Sequence, residues 1–283
     1  MNFTELLISL EMGLIYGIVA IGIYLTFRII DFPDLTCDGS FVLGAASSAI
    51  LIKSGCNPFV ALFLAMIAGG IAGLATGILY TKFRITELLS GILVAFMLYS
   101  INLRVMSGVP NITLINESTI FTGQNALLVL IMIAVFMSLG MSILLKTDFG
   151  LALRSIGQNK RLALNNGVNV KIMTIIGLIM SNALIGFGGA LFSQHQGFAD
   201  ISQGIGTVIV GLAGLMIGEK IIGFRSLWLV IPACLLGSIM YRIFIAFALH
   251  SEFLGLETQD LNLITGFMVI GIMILPKLRG KYA

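Results

Sequence analysis

KTDFGLALRSIGQNKRLALNNGVNVK, residues 146–171, lies between two long apolar runs and carries five of the 16 basic residues of the chain: Lys146, Arg154, Lys160, Arg161 and Lys171. Basic residues near the ends of membrane spans are retained on the cytoplasmic side, so a long basic connection places itself there. The stretch also reads as ordered. Leu151, Leu153, Ile156, Leu162 and Leu164 punctuate the charges, Gly150 and Gly157 break the run, and Asn165-Asn166-Gly167 is a helix stop. A short amphipathic helix with a turn, held against a membrane, is the expectation. A solvated basic linker is the alternative.

The remainder of the chain supplies the membrane. Hydrophobic residues make up 58% of the 283, charged residues 10%, and the mean hydropathy is +1.06. A soluble domain carries about a quarter charged residues, so a water-soluble globule is excluded. Apolar runs near 6–27, 40–52, 59–80, 88–101, 125–145, 172–192, 205–218, 227–248 and 261–275 are continuous rather than alternating, which favours helices over a barrel. The expected fold is an all-α, polytopic helical bundle of about eight to nine transmembrane segments in a single transmembrane domain over residues 1–283. Several runs fall short of the roughly 20 residues a straight spanning helix needs, and broken or re-entrant helices of that kind tend to mark a substrate path.

Alternating outwards from 146–171 puts the connections 28–39, 81–87, 219–226 and 276–283 on the same side. They hold Arg28, Lys82, Arg84, Lys220, Arg225, Lys277, Arg279 and Lys281 beside the central five, against Lys53 and Arg104 opposite and Arg242 within a span. The N-terminus is therefore expected outside and the C-terminus inside. Residues 28–39 are either a simple loop or a segment dipping into the membrane. Residues 1–27 contain no Lys or Arg, so the basic region of a cleavable signal peptide is missing.

Glycines recur at helical spacing. Gly13-xxx-Gly17, Gly69-xxx-Gly73-xxx-Gly77 and Gly214-xxx-Gly218 each line one face, which in lipid lets helix backbones approach closely. Cys37, Cys56 and Cys234 have no metal-ligand spacing and are expected to be unpaired thiols. His195 and His250 stand far apart, and neither a zinc-protease motif nor a phosphate-binding loop is present. The chain is therefore expected not to be an enzyme and to hold no cofactor or metal.

Asp31-Phe-Pro-Asp-Leu-Thr-Cys-Asp-Gly-Ser40 is the most unusual polar stretch. Three carboxylates sit between two apolar runs, beside the helix breakers Pro33 and Gly39. Ionisable groups at membrane depth are costly and usually functional. The alternative is an interfacial loop whose Asp38 or Ser40 caps the next helix. Asp31, Asp34, Thr36, Asp38 and Ser40 are accordingly candidates for a substrate path, together with Glu87, Asn182 and Gln196. Glu87 can equally serve as a first-turn acid favoured by the helix dipole, and the amides as interhelical hydrogen-bond partners. Glu219-Lys220 and Arg225 bound a possible second inner contact. The connection 249–262, with Glu252, Glu257 and Asp260, could dock a soluble protein from outside.

Gly150 to Val170, with Arg154, Gly157, Asn159, Ala163 and Gly167, resembles the cytoplasmic coupling loop of ABC importer permeases of the branched-chain amino acid and ribose-type branch. DLTCDGSF (Asp34 to Phe41), ELLSGIL (Glu87 to Leu93), YSINLRVM (Tyr99 to Met106) and QGFADISQGIGT (Gln196 to Thr207) are similar to permeases of tryptophan/tyrosine transport systems. The likeness runs along nearly the whole chain. It implies a bacterial plasma-membrane importer subunit for a small solute, an aromatic amino acid first. A separate ABC ATPase would use the ATP, an extracytoplasmic binding protein would deliver the solute, and a second permease copy would complete the path in the bilayer, with no nucleic-acid partner. It further implies that Leu151, Arg154, Ser155, Ile156, Gly157, Gln158, Asn159, Lys160, Ala163 and Gly167 form the ATPase-coupling element. The alternatives are an ion-coupled secondary transporter and an ABC permease for a nucleoside or sugar-like solute.

Overall fold

Apolar runs in a bilayer become helices because lipid offers backbone N–H and C=O groups no other partner. The computed structural model describes residues 3–222, 227–250 and 261–279. Helix α1 spans Phe3–Tyr24 and continues as a π-helical segment, Leu25–Ile30. There follow α2 (Thr36–Lys53), α3 (Pro58–Thr81), α4 (Glu87–Val105), α5 (Ala126–Leu144), α6 (Asp148–Gln158), α7 (Lys160–Asn165) and α8 (Val170–Gln196). After a 3-10 turn over Ile201–Gly204 come α9 (Thr207–Ile222), α10 (Leu227–His250) and α11 (Leu261–Arg279). Among the described residues, seven helices are long and apolar enough to cross a membrane. The all-helical polytopic bundle expected from the sequence is the fold observed. Among the described residues the sheet is confined to two three-residue strands, β1 (Asn111–Thr113) and β2 (Phe198–Asp200), paired antiparallel with Asn111 opposite Asp200.

α2 is the central helix. Residues on all its sides are buried, from Thr36 and Cys37 through Phe41 and Gly44 to Ile52, and a helix enclosed all round is read as core. It packs on α8, α3 and α4. The close approach is made by small residues, since lipid tails give apolar side chains no reason to leave them. A β-carbon on Gly73 would overlap the Leu178 carbonyl oxygen, and one on Gly69 that of Asn182. Gly13 and Gly17 meet Ile239 and Leu235 of α10 in the same way, at 2.7 Å for an added β-carbon. Gly214 and Gly218 lie against Ser238 and Ala233. All three small-residue faces are therefore helix contacts. Arg242 reaches over the Tyr16 ring, 4.2 Å from its centroid, which supplies an electrostatic partner within a span.

Three details depart from the sequence reading. Of the two readings of 28–39, the simple loop does not hold: 28–30 and 36–39 are helical, and only 31–35 lack helical structure. Gly150 does not break a helix. It lies in the first turn of α6, where its bare Cα lets the chain fold back onto Leu144 and Leu145. Gly157 is likewise helical, and its place depends on a close backbone contact instead of a turn. The three cysteines are free thiols, as expected. Arg225, Glu252, Glu257, Asp260 and Lys281 lie outside the described residues.

Candidate functional site: a buried carboxylate junction and its coupling helices

The π-helical segment ends at Asp31, whose backbone is left-handed (φ 56°) and whose N–H bonds to the Thr26 carbonyl. The chain then turns through 31–35 and starts α2 inside the bundle. Thr36, its first residue, shares a hydroxyl hydrogen bond of 2.7 Å with Thr76 of α3. Thr76 lies five residues before the end of α3, about 7.5 Å along the axis at 1.5 Å per residue. The junction is therefore buried among helices rather than lying in solvent.

Asp34 is fully buried there. Its Oδ1 accepts the Thr36 N–H at 2.9 Å and its Oδ2 accepts the Asn182 amide at 2.7 Å. Asn182 in turn accepts the Ser40 hydroxyl at 2.7 Å and donates to the Leu178 carbonyl at 3.0 Å. Asp34, Thr36, Ser40 and Asn182 are thus one network, satisfied by a helix N-terminus, an amide and hydroxyls. A buried acceptor with partners of this kind is held in one place.

Asp38, one turn further along α2, faces the other way. Its carboxylate accepts the N–H groups of Val208 (2.9 Å) and Gly206 (3.2 Å) at the start of α9. α9 begins at Thr207, within the candidate span Ile201–Ile221. Gly206 at φ +84° breaks it from the 3-10 turn before it. The N-terminal half-charge of α9 therefore falls beside α2 and is met by an acid on another helix. A cavity of about 140 Å³ opens beside this contact, lined by Asp38, Tyr99, Asn102, Gly204 and Ile205 among others. The Asn102 amide donates to the Gly39 carbonyl at 3.1 Å, while its Oδ1 is buried with no partner among the described residues.

The sequence candidates divide. Asp34, Thr36, Ser40 and Asn182 come together and Asp38 adjoins them. Asp31 is exposed at the start of the 31–35 turn. Gln196 lies at the far end of α8, its amide 3.5 Å from the Met12 sulfur. Glu87 belongs elsewhere: it accepts hydrogen bonds from Lys160 (2.7 Å) and Tyr80 (2.9 Å). Thr76, Tyr99 and Asn102 were not singled out. Thr76 could have been found as the hydroxyl between Gly73 and Gly77 on the same small-residue face, and Asn102 as the one amide within the apolar α4.

The basic stretch 146–171 folds as two short helices. Thr147 caps α6 by accepting the Gly150 N–H at 3.3 Å. Asn159 ends α6 in an extended conformation and caps α7, its Oδ1 accepting from Arg161 and Leu162 at 3.0 Å each. Gly167, at φ +79°, follows the end of α7 as the helix stop requires. Leu153, Ile156 and Ala163 face the bundle, whereas Leu151, Leu162 and Leu164 are about 60% exposed. Ser155 returns its hydroxyl to the Ala152 carbonyl, and Gln158 is exposed.

α6 touches the π-helical segment that leads into the carboxylate junction, and α7 reaches the junction through Tyr80. Gly157 lies against the Ile29 carbonyl, so closely that a β-carbon would overlap it. Lys160 binds Glu87 and Tyr80, and Tyr80 meets Phe32 edge to face at 5.2 Å. Burial by itself would lower the Lys160 pKa, but its hydrogen bonds to Glu87 and Tyr80 outweigh burial and hold it above the usual lysine value. The end of the π-helical segment and the C-terminal part of α9 are joined by Arg28, which donates to both Glu219 oxygens at 2.7 and 2.6 Å.

A helix break buried inside an apolar bundle and a capped amphipathic pair of short helices at one end suit a transport permease. Residues 6–275 match the family described as branched-chain amino acid transport system/permease component, and the chain belongs to that family of ABC transporter permeases. It is 40% identical over 262 residues to a tyrosine transport system permease protein of Clostridioides difficile (strain R20291), covering 92% of this chain and 88% of that one. It is 38% identical to an uncharacterised protein of Rickettsia prowazekii (strain Madrid E), covering 93% and 95%. The fold resembles that of an ABC transporter assigned to the metal-chelate type, solved in an inward-facing conformation. There the TM-score is 0.52, the identity 16%, and the coverage 96% of this chain and 86% of that one. Membership of this family sets aside the ion-coupled alternative.

Proposed function

We propose that the chain is the membrane subunit of an importer that carries a zwitterionic amino acid, with an aromatic one such as tyrosine or tryptophan preferred. The observation that carries this reading is Asp38: a half-buried carboxylate at a helix break, beside a cavity, with no basic side chain bonded to it among the described residues. A zwitterion in a low-dielectric path needs partners for both charges, because an unpaired one costs several kcal/mol. Asp38 meets the ammonium. The N–H groups at the start of α9, released from Asp38, meet the carboxylate. Tyr99 and Ile205 supply apolar contact. Asp34, enclosed and fully bonded, holds the junction in shape and does not meet substrate. The similarity to a tyrosine transport permease supports the substrate class.

A partner ATPase drives the cycle from the side of α6 and α7. Their exposed Leu151, Leu162 and Leu164, with Gln158 and Arg161, form an apolar and basic docking face. Their buried faces press on Ile29 and Tyr80, which flank the junction. ATP is used in that partner and no cofactor is bound here. A soluble binding protein delivers the solute from the opposite side, and a second copy closes the cavity, which in one copy opens beside the exposed Tyr99 and Ile205. The permease sits in the bacterial plasma membrane with its N-terminus outside.

The test is uptake by the reconstituted permease–ATPase complex with labelled tyrosine, leucine and a nucleoside. Asp38→Asn is expected to abolish saturable tyrosine uptake in a complex that still assembles and melts normally. Asp34→Asn is expected to lower thermal stability, by about 1.5–3 kcal/mol for a charged hydrogen bond lost. Full tyrosine uptake by Asp38→Asn overturns the ammonium role. Preference for the nucleoside overturns the amino-acid reading.

A further inference from the structure

A second cavity, of about 360 Å³, opens where the turn after α3 meets the start of α8. Arg84, Lys171, Thr81, Thr86, Ile85 and Val170 contribute to its walls. It shares Tyr80 with the coupling network but none of the residues around Asp38.

Its chemistry is that of an anion site. Arg84 and Lys171 are exposed, and among the described residues neither side chain forms an ion pair or a hydrogen bond. They differ in this from Arg28 and Lys160, which are tied to Glu219 and Glu87. Two helices begin at the cavity, α4 at Glu87 and α8 at Val170, and both direct their positive ends towards it. Thr86, the residue before α4, makes no capping bond through its side chain, so its hydroxyl is available to a ligand. The nearby carboxylate, Glu87, is held by Lys160 at 2.7 Å and does not neutralise the cavity's cations.

Its surroundings are those of a lipid. In the chain, Phe83, Leu88 and Leu89 flank one wall and Ile172 the other, and all four are exposed. Exposed apolar residues beside two unpaired cations, at the ends of three helices, suit a ligand with an anionic head and apolar tails. A soluble anion would gain nothing from that rim. Basic pockets between helices at the cytoplasmic end of a bundle are known recognition sites for anionic headgroups.

We infer that this cavity binds the headgroup of an anionic phospholipid, with its phosphodiester between Arg84 and Lys171 and its acyl chains along Phe83, Leu88, Leu89 and Ile172. The headgroup then sits against Tyr80, whose hydroxyl itself bonds Lys160 of α7 at 3.3 Å, so lipid composition would bear on how firmly α7 is seated. The inference needs only a membrane-embedded permease and is independent of which solute is carried.

Native mass spectrometry of the intact permease in detergent tests it, with phosphatidylglycerol or phosphatidylcholine added. Each cation near an anionic lipid is worth roughly fivefold in affinity, so the wild type should retain phosphatidylglycerol about 25-fold more tightly than the zwitterionic lipid. Arg84→Gln with Lys171→Gln should erase that preference, the single variants should lose part of it, and Arg161→Gln, on exposed α7, should not change it. Melting temperature in lipid-free detergent serves as the fold control, since both cations are exposed and unpaired. Equal retention of both lipids by the wild type, or an unchanged preference in the double variant, overturns the inference. Displacement of phosphatidylglycerol by millimolar inorganic phosphate or glycerol phosphate also overturns it, because the site would then select a soluble anion.

Discussion

Gly157 of α6 lies directly against the carbonyl of Ile29 in the π-helical segment, with no room for a side chain between them. Ile29 precedes the 31–35 break by two residues, and the break carries Asp34. A displacement of α6 therefore reaches the carboxylate junction through one backbone contact.

From this contact follows the effect of filling it. Gly157→Val should push α6 away from Ile29 at a cost of about 1–3 kcal/mol for overpacking. As a coupling free energy this corresponds to roughly 5–150-fold less uptake per ATP hydrolysed. ATP hydrolysis and labelled-solute uptake, measured together in proteoliposomes, check it. Normal coupling in an assembled Gly157→Val complex would show that the contact is packing alone.

The Arg28–Glu219 pair should be asymmetric. The Arg28 side chain is 48% exposed and that of Glu219 only 7%. Arg28→Gln strands a nearly buried carboxylate and should cost about 1–3 kcal/mol. Glu219→Gln leaves a half-solvated guanidinium and should cost less than about 1 kcal/mol, as for surface pairs. Thermal unfolding of the two variants in one detergent decides the order. Equal losses would point to a fully solvated pair.

Small-residue packing predicts a contrast between two glycines. Gly73→Ala would drive a methyl group into the Leu178 carbonyl and should lower the melting temperature by several degrees. Gly140→Ala on α5 has nothing within 4 Å of the added carbon. It should be neutral or stabilising by about 0.4–1 kcal/mol, through the unfolded chain. A Gly73→Ala protein as stable as wild type would mean that α3 and α8 do not pack as described.

Topology follows from the charge bias and is expected to hold in labelling. A cysteine placed at Gln196, in a background without native cysteines, should react with an impermeant maleimide from outside. One at Asn159 should react only after permeabilisation. External labelling at Asn159 would invert the arrangement and move the ATPase docking face to the wrong side.

What the sequence alone determined is what depends on near neighbours. Hydropathy runs are local, so the spans could be read directly. The small-residue spacing of Gly69, Gly73 and Gly77 lies on one face of one helix, so the close contact was legible although its partner, α8, was not. Thr147, Asn159 and Gly167 act within three or four residues of themselves, so a short helix with a turn and a stop could be read there, although its division into α6 and α7 at Asn159 was not. The role of Gly157 was misread because its reason lies on another helix: the residue that forbids a side chain there is Ile29. Asp34 and Asn182 are 148 positions apart, and Asp38 and Val208 are 170 apart. Only packing brings such groups together, and the low-dielectric interior then leaves each polar group no water to bond instead. The same packing placed Glu87 beside Lys160 and Tyr80 and separated an enclosed Asp34 from a half-buried Asp38 beside a cavity. Two carboxylates four residues apart on similar sequence were distinguished solely by which helix lies in front of each.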